Sequence, residues 1–203
     1  MARCTIRSGT LTDEMADEFE RKYLVTDPRL LDGRTGVRME QGYLPVEAPT
    51  SVRIRLTDDG IAPRAWLTIK QGRSARHRLE FEYPIPVNDA RTLLDASCGG
   101  RRIRKTRYRI AHAGYDWEVD RFEEDNAPLM IAEIELPASD ADFDLPSWVG
   151  TELTDDARLL NVNLCLQPFA QWPAAEREAL LTLDGSAVFT ETDRADGGAQ
   201  RSD

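Results

Sequence analysis

The sequence predicts a mainly β fold of the α+β class, an eight-stranded antiparallel β-barrel with helices packed outside and at the C-terminus. Apolar and polar residues alternate with period two through the first two-thirds of the chain, which is typical of half-buried strands. Gly, Pro, Asn and Asp divide this region into short segments, as expected for a meandering antiparallel sheet. Eight strands suffice to close a barrel, which would leave no exposed sheet edge.

The alternation predicts strands at 18–25, 36–44, 51–57, 65–71, 78–84, 102–110, 115–122 and 129–136. The apolar residues at 87–97 have helical spacing and predict a helix between two strands, with Asn88 or Asp89 as a possible N-cap. Helical spacing is found again after the last predicted strand. It predicts a helical segment that begins at Thr154-Asp155-Asp156 and a helix from Ala174 to Leu183, preceded by Pro173.

Residues 1–184 are predicted to form one domain with its core at 18–170, and the tail 185–203 is predicted to be disordered. The formal net charge of −10 argues against broad electrostatic binding to nucleic acid or to an anionic membrane. No run of about 18 apolar residues and no signal-like N-terminal stretch is present, so we expect a cytoplasmic protein. The three cysteines, Cys4, Cys98 and Cys165, are widely spaced and predict neither a disulfide framework nor a zinc site.

The strand faces opposite the apolar residues are unusually charged. Glu18, Glu20 and Lys22 leave one face of the first strand, while Phe19 and Tyr23 leave the other. The same alternation places these charged residues opposite apolar neighbours on later strands: Arg53, Arg55, Lys70, Arg78, Glu80, Glu82, Lys105, Arg107, Asp116, Glu118, Asp120, Glu133 and Glu135.

Two interpretations of this pattern remain open: a solvated outer face with many ion pairs, or a charged lumen. If the predicted helices cover the outside of a barrel, the apolar faces point outward and the charged faces inward. Buried charge is costly unless it is paired or used by a ligand. Carboxylate oxygens suit Mg²⁺, and Arg and Lys suit phosphate oxygens, so a lumen holding both fits a metal-complexed chain of phosphates.

The residues resemble the CYTH superfamily, the triphosphate tunnel metalloenzymes. The hallmark ExExK corresponds to Glu18-Phe19-Glu20-Arg21-Lys22. The resemblance continues in order through SVRIR (51–55), LTIK (67–70), RLEFEY (78–83), KTRY (105–108), WEVDRF (117–122), AEIEL (132–136) and PSWVGTELT (146–154). It implies that the barrel forms a tunnel and that the chain acts on triphosphates with Mg²⁺ or Mn²⁺.

The resemblance also implies residue roles. Asp120, Glu133 and Glu135 would bind the metal that is complexed with the phosphates, Glu18 and Glu20 would hold a second metal that activates the attacking water, and Glu80 and Glu82 would complete the acidic side. The phosphate oxygens would be bound by Lys22, Arg53, Arg55, Lys70, Arg78, Lys105 and Arg107. Lys22, Glu18, Glu20 and Lys105 are the candidate catalytic residues.

The expected reaction is metal-dependent hydrolysis of inorganic triphosphate to pyrophosphate and phosphate by a monomer or homodimer. The alternatives are hydrolysis of thiamine triphosphate or a nucleoside triphosphate, cyclisation of ATP, and phosphate binding without turnover. Arg158-Leu159-Leu160-Asn161 departs from relatives, which commonly have an aromatic pair before the Asn. Only three of the 26 basic residues that are not histidine are lysines, and each lies in a motif of the resemblance, which predicts that a slim ammonium group is needed there.

Overall fold

The computed structural model describes residues 19–47, 49–74 and 77–182, with backbone alone for 72–74 and 77–80. The predicted tail 185–203 and the predicted position of Glu18 lie outside these residues. Within the described ranges there are nine strands: β1 (Phe19–Val25), β2 (Val37–Tyr43), β3 (Thr50–Asp58), β4 (Arg64–Ser74), β5 (His77–Ile85), β6 (Arg102–His112), β7 (Tyr115–Phe122), β8 (Met130–Leu136) and β9 (Val149–Glu152). Three α-helices accompany them: α1 (Val87–Ser97), α2 (Asn161–Leu166) and α3 (Ala174–Leu181).

The strands form one sheet in the order β5-β4-β3-β2-β6-β7-β8-β1-β9, and each described pairing is antiparallel. The mainly β, antiparallel fold predicted from the sequence is therefore confirmed, and each of the eight predicted strands is present. The backbone pairing described for the sheet runs from β5 to β9 and does not join these two strands into a closed ring. The short β9 was not predicted, and it pairs with β1 at Tyr23 and Val25.

The predicted helix at 87–97 is confirmed, but the predicted cap is wrong. Pro86 is the N-cap, with φ −57° and ψ 136°, so Asn88 and Asp89 lie inside the first turn. The helical segment predicted after Thr154 is interrupted. A short 3₁₀ turn at Ala157–Leu159 ends at Leu160, whose extended ψ of 135° separates the turn from α2.

The outer face of the sheet is apolar and is covered in two different ways. The helix α1 packs on β3 and β4, where Ile54 and Leu94 lie in one buried cluster. Over β1, β7 and β8 the cover is a chain segment without a helix, whose Phe143 and Trp148 pack against Trp117. The prediction that helices cover the outside thus holds for one part of the sheet.

The inner face of the sheet is apolar at one end only. Four strands each place a buried apolar residue on their inner face, two positions from a charged residue on that face: Leu24, Ile103, Phe122 and Ile131. They form a cluster with the C-terminal elements, chiefly Leu164, Phe169, Trp172 and Leu180. The C-terminal helices therefore close one end of the lumen, and the charged rows lie beyond this apolar plug.

No helix among the described elements has the length and apolarity needed to cross a bilayer. Cys98 and Cys165 are free and buried, while Cys4 lies outside the described residues.

Candidate active site

A cavity of about 670 Å³ opens on the inner face of the sheet. Among the residues that the structure describes, every side chain that lines it is polar or charged: Glu20, Lys22, Gln41, Arg53, Arg55, Lys70, Glu82, Arg107, Arg109, Asp116, Glu118, Glu133, Glu135 and Asn161. Nine of these residues belong to the charged strand faces predicted to point into a lumen: Glu20, Lys22, Arg53, Arg55, Lys70, Glu82, Arg107, Glu133 and Glu135. Period-two alternation explains the arrangement, because each inward charge is flanked on its strand by outward residues.

One wall of the cavity is acidic. It is formed by β7, β8 and β1, where Glu20 lies directly opposite Glu135 and Glu118 directly opposite Glu133. Like charges in directly opposed positions destabilise an antiparallel pair unless a cation lies between them. This wall therefore needs positive charge from the protein or from a ligand.

Lys22 supplies part of that charge. Its Nζ donates to Glu133 Oε1 at 2.5 Å and also to Glu20. Burial disfavours the charged ammonium group, but the carboxylates of Glu133 and Glu20 outweigh it and raise the pKa of Lys22. Burial and the neighbouring Glu133 carboxylate together raise the pKa of Glu20, against the opposing effect of Lys22.

Arg107 binds three acidic residues, two on β7 and one on β8. Its guanidinium donates to both carboxylate oxygens of Asp120, at 2.7 and 2.6 Å, to Glu133 at 2.7 Å, and to Glu118. Burial opposes ionisation of Glu133, but Lys105, Arg107 and Lys22 lower the pKa of this carboxyl to about 2. Glu133 is therefore a carboxylate throughout the physiological pH range.

Lys105 and Asp120 lie beneath the cavity and are not among its lining residues. They form an ion pair with each other, and the ring of Phe122 lies 5.5 Å from the Lys105 ammonium. Burial lowers the pKa of Lys105 despite the nearby Asp120 carboxylate. In this structure Asp120 binds both Lys105 and Arg107, so the contacts predicted for Lys105 with phosphate and for Asp120 with metal remain predictions.

The opposite wall is basic and comes from β3, β4 and β5. Arg55 donates to both oxygens of Glu82, at 3.0 and 2.9 Å, and Arg53 lies 3.6 Å from the same carboxylate. Thr68 also donates to Glu82, at 2.9 Å. Glu82 therefore orients two guanidinium groups, and this favours binding of anionic oxygen atoms between them.

Several predicted residues cannot be placed against this cavity. Glu18 lies outside the described residues, and the side chains of Arg78 and Glu80 are outside the description of β5. Lys70 and Glu135 do line the cavity, as predicted from the sequence.

Five lining residues had no predicted role: Gln41, Arg109, Asp116, Glu118 and Asn161. Glu118 and Asp116 share the alternation of Asp120, so the same sequence signal identifies their face. Gln41 and Asn161 carry no charge, and a pattern search based on charge cannot find them.

The donor chemistry of the acidic wall fits a divalent cation such as Mg²⁺ or Mn²⁺, because carboxylate oxygens are the ligands that such hard cations prefer. Over the part of the chain that is described, no three acidic, histidine or cysteine side chains are placed closely enough to hold a metal. Arg107 and Lys22 instead hold the carboxylates of Glu133 and Glu20. A cation would therefore have to share these carboxylates with, or take them from, the protein's own basic groups.

Comparisons with known proteins identify similar chains. The CYTH domain model matches residues 16–163. An inorganic triphosphatase of Acetivibrio thermocellus is 40% identical over 155 residues, which cover 76% of this chain and 97% of that protein. An inorganic triphosphatase of Nitrosomonas europaea is 38% identical over 155 residues, which cover 73% of this chain and 97% of that protein.

A crystal structure of an inorganic triphosphatase matches this fold with a TM-score of 0.57 and 34% sequence identity, and the match covers 75% of this chain and 96% of that one. The matched region includes both walls of the cavity. The chain belongs to the CYTH domain family.

Proposed function

We propose that this protein hydrolyses inorganic triphosphate to pyrophosphate and phosphate inside the cavity, with Mg²⁺ or Mn²⁺ as the cofactor. The observation that carries the proposal is the pairing of an acidic wall with a basic wall around one cavity of about 670 Å³. Relatives that share 38–40% of their residues with this chain are named inorganic triphosphatases, which supports the choice of substrate.

The basic wall would bind the substrate. Arg53 and Arg55, held by Glu82, and Lys70 on the neighbouring strand would contact the phosphate oxygens. These cations would also stabilise the negative charge that moves onto the leaving pyrophosphate. Lys22 and Arg107 would add two positive charges where this wall meets the acidic one.

The acidic wall would bind the divalent cation through Glu20, Glu133 and Glu135, together with Glu18 of the same motif. A bound cation supplies charge neutralisation and lowers the pKa of an associated water. The low pKa of Glu133 suits this role, because a ligand that is already ionised needs no proton release before it binds. The roles predicted for Glu80, Arg78, Asp120 and Lys105 stay part of the proposal, as do a cytoplasmic location and a monomeric or homodimeric state.

A substrate panel tests the proposal. The purified protein is given tripolyphosphate, pyrophosphate, ATP and thiamine triphosphate at equal concentration, with Mg²⁺ or Mn²⁺ and with a chelator. We expect the highest kcat/KM for tripolyphosphate and no turnover without metal. Faster turnover of ATP or thiamine triphosphate would replace the proposed substrate, and unchanged turnover in the chelator would contradict the metal requirement.

A matched pair of variants ties the activity to the cavity. We expect Glu133→Gln to lower kcat by roughly 10²-fold or more, the scale of losing one electrostatic contact in a transition state. The control is Glu178→Gln on the exposed surface of α3, which should keep wild-type kinetics. Wild-type activity in both variants would show that the reaction does not take place in this cavity.

A further inference from the structure

Gln41 is a neutral side chain among the charged residues of the cavity. It lies on β2, an interior strand of the sheet, opposite Arg55 of β3 and Ile103 of β6. The residue is only 3% exposed, although it lines the cavity.

The packing of β2 explains why the amide faces inward. The next residue, Gly42, lies against α1 so closely that a Cβ there would meet Cys98 Sγ at 2.6 Å and Leu94 Cδ2 at 2.7 Å. Because successive side chains leave opposite faces of a strand, Gln41 must point away from α1 and into the lumen. Its position is therefore determined by the close approach of the helix on the other side.

The carbonyl oxygen of this amide has no hydrogen-bond partner. Gln41 Oε1 is buried, and no donor of the described residues reaches it. Of the basic groups nearby, Lys105 donates to Asp120, and Nη2 of Arg55 donates to Glu82. A buried acceptor without a partner destabilises the fold, and one on the wall of a polar cavity is placed to accept a hydrogen bond from a bound molecule.

The chemistry of the missing partner is restricted. Oε1 carries lone pairs and no proton, so its partner must be a hydrogen-bond donor or a cation. A divalent cation is disfavoured at this position because Arg55 of the basic wall lies directly opposite, whereas the carboxylates that such a cation prefers lie on the acidic wall. The oxygens of a fully ionised triphosphate and the carboxylates of the acidic wall are acceptors, and this excludes them. Water is a donor that fits a polar cavity and is also the second substrate of a hydrolysis.

We propose that Gln41 is a positioning residue that accepts a hydrogen bond from the attacking water at Oε1. This inference rests on the proposed function. Since Arg55 lies directly opposite on the basic wall, a water held by Gln41 would lie beside the phosphoryl group bound there. Fixing one O–H bond of the water directs a lone pair of its oxygen towards phosphorus.

The step is balanced. The water oxygen forms the new bond to the terminal phosphorus, and the bond from that phosphorus to the bridging oxygen breaks with its electron pair going to pyrophosphate. One proton of the water stays on the phosphate product, and the other is released to solvent. Gln41 neither gains nor loses a proton.

The experiment is the variant Gln41→Met, which keeps the length of the side chain and removes the acceptor. We expect kcat with tripolyphosphate and Mg²⁺ to fall roughly 10²-fold while KM stays within about threefold, because the lost contact is to the water and not to the phosphates. The melting temperature should be unchanged or higher, since an unpaired buried polar atom is replaced by an apolar group. The matched control is Gln71→Met on the exposed surface of β4, with wild-type kinetics expected.

Three results would overturn the inference while leaving the proposed function intact. Wild-type kcat and KM in Gln41→Met would show that the amide has no role in the reaction. A raised KM with normal kcat would show that Gln41 binds phosphate through its Nε2 group. A lower melting temperature, with activity lost only in proportion to the unfolded fraction, would show a structural role. Failure of the wild-type protein to release phosphate from tripolyphosphate would instead refute the proposed function, and the inference with it.

Discussion

The ammonium group of Lys105 and the carboxylate of Asp120 form an ion pair with each side chain only 1% exposed, directly beneath the cavity. Asp120 also accepts two hydrogen bonds from Arg107, so this single carboxylate balances two cations. Breaking a buried pair is far more costly than replacing it as a whole, because the remaining charge has lost both water and partner.

Asp120→Asn should therefore destabilise the protein strongly. We expect the free energy of unfolding in urea to fall by about 3–5 kcal/mol, because the buried Lys105 loses its ionised partner and Arg107 loses one of its three carboxylates. Lys105→Met should cost less, since Asp120 keeps its two hydrogen bonds from Arg107. The control is Asp116→Asn, which lies on the same strand and face but is exposed, and it should change stability by no more than about 0.5 kcal/mol. A larger loss in Lys105→Met than in Asp120→Asn would contradict this order.

Lys22→Arg tests whether the shape of the cation matters. Lys22 lies between Glu20 and Glu133 with its side chain 15% exposed, and a planar guanidinium must displace one of these carboxylates to fit. We expect kcat for tripolyphosphate to fall roughly tenfold, and roughly 10²-fold in Lys22→Ala, which removes the contact altogether. The reverse exchange Arg29→Lys, at a side chain that is 82% exposed, is the control and should leave kinetics unchanged. Wild-type kinetics in Lys22→Arg would show that charge alone suffices.

The faces of the strands could be predicted from the sequence, but the depth of residues along the lumen could not. Strict alternation decides which side of the sheet a residue leaves, and Lys22, Arg107 and Glu133 follow it. Depth depends on where the C-terminal helices enter, which is a contact distant in sequence. Lys105 therefore lies beneath the cavity although its pattern matches that of Arg107 two residues later.

Two further features escaped prediction for identifiable reasons. The strand β9 has four residues and begins at Val149 after an irregular segment, so its alternation is too short to detect. Gln41 is marked by a missing hydrogen bond, which only coordinates can reveal. The features that could not be predicted from the sequence therefore depend mostly on contacts between residues that are distant in the chain.

The plug at the closed end of the lumen should be part of the cooperative core. Leu164 is 0% exposed and packs in the cluster of Phe169 and Trp172, whereas Leu166, two residues later on the same helix, is 60% exposed. We expect Leu164→Ala to lower the free energy of unfolding by about 2–5 kcal/mol, through lost transfer energy and the cavity that remains. Leu166→Ala should lower it by less than about 0.5 kcal/mol, as for other exposed sites. Equal effects in chemical denaturation would mean that α2 does not seal the lumen.

The ion pair between β1 and β9 should give a stability contribution that disappears in acid. Arg21 Nε donates to Glu152 at 2.8 Å, and chiefly this contact lowers the pKa of Glu152 from its ordinary value of 4.5. Because the folded pKa is lower than the unfolded one, the contribution is complete above about pH 4.5 and is lost as the pH falls through the folded value. Both side chains are more than one-third exposed, so we expect Glu152→Gln to cost only about 0.2–1 kcal/mol at pH 7 and progressively less as the pH falls below about 4.5. Urea titrations of both proteins across this pH range measure the difference, and a gap that persists or widens in acid would show that Glu152 does not stabilise the fold through its charge.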